Sequence, residues 1–164
     1  MKNNKFRILK AELDADFGIL GELEEKYRKI HRKIAGIEPD EFDYAGLAYT
    51  IVNIYNLMEN YLIRIVKCFE NNIDQSEWHK DLLRHMSLDI DGIRPAFLTR
   101  EDVNCLDDLR AFRHIFRHIY QNRLDIDKLL LVDRRVDDVV KFFKERHFKF
   151  NDFLIRLSEE MGKE

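Results

Sequence analysis

The chain has 164 residues, 45% hydrophobic and 36% charged, with 28 lysines and arginines against 31 acids and a net charge of -3. That length supports one ordinary domain with a real core, and the composition excludes a disordered chain. The mild acidity excludes non-specific duplex binding through overall charge, so any RNA site must be a local basic patch.

Two prolines and six glycines leave few breaks and favour long helices. The first element is predicted over 1–36, where Leu9, Leu13, Phe17, Leu20, Leu23, Tyr27, Ile30 and Ile34 form one apolar stripe at near-heptad spacing. Gly36 and Pro39 then read as a stop and a turn. A second helix is predicted over about 40–71 on the stripe Leu47, Ile51, Ile54, Met58, Tyr61, Leu62, Ile65 and Phe69, ended by Asn71 and Asn72. A short helix over about 76–87 carries Trp78, Leu82, Leu83 and Met86, and residues 88–99 read as a loop. Thr99, Glu101 and Asp102 look like a helix start, a capping hydroxyl followed by acids, opening a helix over 100–122. Asp125 and Asp127 open the last helix, about 127–161. The expected fold is a single all-α domain over 1–164, an up-and-down bundle of four main helices plus one short helix.

Cys68 and Cys105 lack CxxC spacing and read as reduced, small apolar side chains. No apolar signal core opens the chain and no stretch reaches membrane-spanning length, so the cytoplasm is the expected location. His31, His79, His85 and His147 are isolated and read as surface or boundary residues. The aromatic residues Phe142, Phe143, Phe148, Phe150 and Phe153 read as core with some exposed overflow rather than as a base-stacking platform.

The chemistry concentrates in Leu109–Leu124, LRAFRHIFRHIYQNRL, which holds four arginines and two histidines and no acid. On a helical wheel, Ala111, Phe112, Ile115, Phe116, Ile119 and Tyr120 share one side. Arg110, Arg113, Arg117, His114 and His118 share the other, arginines towards one edge and histidines towards the opposite one. Solvated faces normally mix lysine with glutamate. A purely basic face needs an anionic partner: a phosphate backbone, an acidic protein surface or acids from other helices. His114 and His118 stand at metal-binding spacing, but no third ligand is near in sequence and the flanking arginines disfavour a cation, so no metal and no cofactor are expected.

Arg113, four residues, His118, one residue, Tyr120: this pattern resembles the HepT-like branch of the HEPN superfamily, all-α and often dimeric proteins with an Arg-x4-6-His motif. The resemblance implies a metal-independent ribonuclease, the toxin of a toxin–antitoxin pair. It implies as partner a minimal nucleotidyltransferase that silences the toxin by adding AMP to the motif tyrosine. Carried over, His118 is the general acid or base, because imidazole both takes and gives protons near neutrality. Arg113 holds the scissile phosphate. Arg110, His114, Arg117 and Arg123 contact RNA phosphates, and Tyr120 is the modification acceptor. On a continuous helix Arg113 and His118 diverge by about 140° and about 7.5 Å of rise, which favours a site shared across a homodimer. Two departures stand out: His114 follows the motif arginine where the family often has Asn or Asp, and the long first helix looks like an addition to the family core. Two other readings are a non-catalytic partner subunit of a nucleotidyltransferase, and a helical interaction protein whose basic face meets acids such as Asp133, Asp137 and Asp138.

Overall fold

The apolar stripes fold as their periodicity predicts. The computed structural model describes residues 2–70, 75–119 and 123–162, with the backbone alone at residues 2, 3 and 75–80. Five helices follow in order: α1 Lys2–Ile34, α2 Glu41–Phe69, α3 Gln75–Met86, α4 Arg100–Arg117 and α5 Ile126–Glu160. Among the described residues the only β-type pairing is an isolated bridge between Ile90 and Arg94. The architecture is therefore all-α, and among the described residues no helix is long and apolar enough to cross a membrane.

Cross-links give the directions. Phe6 packs on Phe69 while Ile30 lies against Gly46, so α1 and α2 run antiparallel; Tyr27 meets Asp133 while Asp14 meets Asn151, so α1 and α5 do too. Asp102 meets Arg146 and Asp108 meets Arg135, which sets α4 against α5. The four long helices thus alternate up and down, and α3 packs across α2 and α4. The C-terminal ends of α1 and α4 and the N-terminal ends of α2 and α5 meet at one pole, where the basic segment lies.

Capping follows the sequence. Asp40 and Asp43 form a capping box on α2, Thr99 and Asp102 form one on α4, and Asp125 caps α5 by accepting from the Lys128 amide. At the first turn Gly36 keeps a negative φ, and Glu38 takes φ 55°. The glycine eases a close approach there: a Cβ would sit 3.1 Å from the Lys33 carbonyl oxygen, tighter than ordinary contact. The proposed stop at Asn71 and Asn72 lies outside the described residues, and α2 closes at Phe69 with the Glu70 amide bonded to the Val66 carbonyl.

Segment 88–99 is not a simple surface loop. Phe97 and Leu98 are buried, their two amides share the Met86 carbonyl, and the Phe97 ring packs 5.4 Å from both Tyr61 and Phe143. Arg94 is fully enclosed; it reaches Glu70 and the carbonyls of His85, Leu88 and Pro95. His85 bonds the other oxygen of Glu70 and is half-buried. Phe143 and Phe150 are buried while Phe148 is exposed, as expected of core with overflow.

His147 is not a boundary residue. It is buried, stacked 4.0 Å from Phe17, with Nδ1 on the Tyr61 hydroxyl and Nε2 facing Asn151 and Asp14. Periodicity places it on the inner stripe between Phe143 and Phe150, and these partners on α1, α2 and α5 meet its polarity. Burial is the main influence on it and holds its pKa below the usual 6.5, with Asp14 pulling the other way and Lys10 adding to the depression. A depressed imidazole contributes stability above pH 6.5 that is lost as pH falls through its folded pKa. Thermal melting is expected to show a drop in midpoint between pH 7.5 and pH 5.5, and His147→Gln to flatten that dependence. An unchanged slope in the variant would remove His147 as the cause.

Asp133 is likewise inside rather than on an acidic docking face. It accepts from the Tyr27 hydroxyl at 2.6 Å and lies 3.2 Å from His31 Nδ1. This leaves Asp137, which pairs with Arg28, and Asp138 for any surface role.

Candidate functional site

α4 starts at its capping box and ends at Arg117, not at residue 122. His118 is the C-cap residue, with φ -108° and ψ 17°, and its amide bonds the carbonyls of Ile115 and Phe116. The last inward apolar contact in the helix is Phe116, so tertiary packing stops supporting it there. His114 and Arg117 in the final turn complement the partial negative charge of the helix terminus. Part of the basic clustering therefore serves the helix itself.

The buried face is also rotated from the simple wheel. Leu106, Leu109 and Phe112 are buried and Phe116 half-buried, but Ala111 is exposed and Ile115 is 48% exposed. Arg113, assigned to the outer face, turns inward: its side chain is only 17% exposed, and Nη1 donates to Glu59 Oε2 at 2.8 Å. Its guanidinium carbon lies 5.5 Å from the centre of the Tyr55 ring. Arg113 Nε is enclosed with no partner. The anion that offsets Arg113 is thus an acid from another helix. Arg110 donates to Asp107 at 2.6 Å, and this hydrogen bond raises its pKa. Burial raises the Tyr55 phenol, helped by the Glu59 charge, so it stays neutral.

The histidines lie on the other side. His118 Nδ1 is 2.8 Å from the His114 carbonyl oxygen, and the two imidazole rings are 4.9 Å apart. A carbonyl only accepts, so Nδ1 is the donor of this contact, and in the neutral ring the lone pair is then on Nε2. Both rings are exposed and border a pocket of about 350 Å³ with Arg123 and Lys128 at its rim and Phe116 and Leu124 in its wall. Arg110, Arg113 and Arg117 do not line this pocket.

One chain therefore groups His114, His118 and Arg123 beside α5, and Arg110 and Arg113 beside α2. Arg117 is exposed, with no carboxylate within 4.0 Å among the described residues. Tyr120 lies outside the described residues. No group of three or more His, Cys, Asp or Glu is placed to hold a metal among the described residues. Sequence reasoning missed Glu59, Tyr55 and Lys128. Glu59 had a readable signal: it is the one acid on the inward stripe of α2, adjacent to Met58 and one turn from Tyr55 and Leu62. A charge in an apolar stripe calls for a buried partner.

A protein-family model described as "HepT-like protein" matches residues 46–154, leaving α1 and the first turn of α2 outside. No curated protein and no solved structure gives a significant match to the chain.

Proposed function

The chain belongs to the HepT-like family, and on that premise we propose that it is the ribonuclease toxin of a toxin–antitoxin pair, acting on RNA in the cytoplasm as a homodimer. The observation that carries the reading is the placement of His118: its Nδ1 lies on the His114 carbonyl at the exposed end of α4, which turns Nε2 away from the helix and leaves it to act as the base when the ring is neutral. Nε2 takes the proton of an RNA 2'-hydroxyl, the 2'-oxygen attacks the adjacent phosphorus, and the P–O5' bond breaks. The products are a 2',3'-cyclic phosphate and a 5'-hydroxyl, whose oxygen takes a proton from a second imidazole, that of His114. Arg113 stabilises the growing charge on the phosphate, and the chemistry of these residues needs no metal.

Because Arg113 and His118 lie on different sides of α4, the site is completed by a second copy. Support for that face comes from Ile115 and Leu131, which are 48% and 61% exposed and border a shallow groove between α4 and α5. An apolar strip of this kind favours cover. The antitoxin partner is a minimal nucleotidyltransferase that transfers AMP from ATP to the Tyr120 oxygen with release of pyrophosphate. The added bulk and negative charge then exclude RNA.

The test is induced expression of wild type and His118→Ala. Wild type is expected to arrest growth and degrade RNA, and His118→Ala to lower cleavage by about 10²–10⁴-fold, the usual worth of a positioned acid or base. Equal growth and equal RNA integrity would sink the reading. One observation favours the non-catalytic subunit instead: Arg113 is already charge-paired with Glu59. Failure of the purified, unmodified protein to cleave RNA would select that reading.

A further inference from the structure

The geometry points to Glu59 as a positioning residue that holds the Arg113 guanidinium at a fixed angle for an RNA phosphate; the inference rests on the proposed function for the identity of that ligand. An arginine near the end of a helix has several free torsions and ordinarily extends into solvent. Here the side chain lies against the Tyr55 ring, and its Nη1 is committed to a carboxylate that is itself 9% exposed. These two contacts come from one turn of α2 and restrict both the direction and the plane of the guanidinium.

The arrangement is a poor stabiliser and a good holder. Nε is enclosed without an acceptor, and a desolvated pair with an orphan donor gives little net stability over apolar packing. What it supplies is orientation. With Nη1 on Glu59 and Nε inside, Nη2 has no hydrogen-bond partner among the described residues and is the nitrogen left for a ligand. A phosphate oxygen meets Nη2 in a charge-assisted hydrogen bond whose direction is set before binding. Arg110 lies on the same edge of α4 but is paired with Asp107, so Arg113 is the cation that this edge presents to the phosphate.

The experiment measures binding rather than turnover. The probe is a short single-stranded 2'-O-methyl RNA, which lacks the attacking hydroxyl, followed by fluorescence anisotropy. Arg113→Ala and Glu59→Ala are each expected to weaken binding by about ten-fold, the worth of one charge-assisted hydrogen bond. The double variant is expected to bind no more weakly than Arg113→Ala alone, because Glu59 acts only through Arg113. Glu59→Gln keeps an acceptor for Nη1 and is expected to stay within about three-fold of wild type, which a purely electrostatic or structural role would not predict. If Glu59→Ala does not fold, Glu59→Asp replaces it, its shorter carboxylate withdrawn from Nη1, and is expected to bind more weakly than Glu59→Gln. Tighter binding by Glu59→Gln or Glu59→Ala would make Glu59 an inhibitory latch and overturn the proposal, as would additive losses in the double variant. Wild type that binds through Arg113 yet cleaves no RNA leaves the positioning role standing and removes the ribonuclease. Cleavage that depends on His118 but not on Arg113 does the reverse.

Discussion

Arg94→Met is expected to lower the melting midpoint by on the order of 10 °C, corresponding to a loss of about 3–5 kcal/mol for a broken buried ion pair. The Arg94 side chain is 0% exposed and gives Nε and Nη2 to Glu70 at 2.9 and 2.8 Å. It also donates to the carbonyls of Leu88, Pro95 and His85. Methionine fills similar volume but leaves a buried carboxylate with only His85 and the carbonyls of Leu88 and Pro95 without a donor, while the His85 carbonyl keeps the Leu88 amide. The effect spreads because the segment Arg94 secures also inserts Phe97 between Tyr61 and Phe143. Arg94→Lys keeps the charge but loses the planar fork and should fall between the two. Far-UV circular dichroism melts at neutral pH are the measurement. A shift of under about 2 °C for Arg94→Met would show that the segment is held by Phe97 and Leu98 alone.

Mixing two inactive variants is expected to restore cleavage. If Arg113 of one copy works with His118 of the other, a heterodimer of Arg113→Ala and His118→Ala contains one site with both residues replaced and one with both intact. Statistical exchange makes half of the dimers mixed, so activity should return to about a quarter of wild type. Each variant alone should stay at or below about 1%, the loss expected for a missing acid–base group or phosphate ligand. Sites confined to one chain predict no recovery at all. The measurement is cleavage of a fluorogenic RNA after co-refolding, with Ile115→Glu as a control that blocks pairing on the α4–α5 face and should abolish the recovery.

The helices were legible because stripe periodicity and caps are local signals. Thr99 with Asp102, and Asp125 after the break, mark helix starts within one residue of where they lie. What local patterns do not carry is which polar residue turns inward to meet a distant partner. Arg113 and Glu59 are separated by 54 residues, so the wheel placed Arg113 outside on polarity alone. His147 and Asp133 were misplaced for the same reason, since their partners lie on α1 and α2. Segment 88–99 hid a core function because Phe97 and Leu98 stand in no periodic frame. The candidate residues were found by their chemical type; their grouping into an arginine side and a histidine side was readable on the wheel, but the neighbour of each side was not.

The early stop of α4 bears on the grammar of the motif. Within a continuous helix each residue inserted between arginine and histidine would swing the imidazole by about 100° and spoil any fixed alignment. His118, however, is already past the last helical residue, with its direction set by the Ile115 and His114 carbonyls. Extra residues between the two would add to the connection after the helix and leave Arg113 seated on Glu59. In this chain Arg113 belongs to the bundle and His118 to its rim, so length can vary at the seam between them.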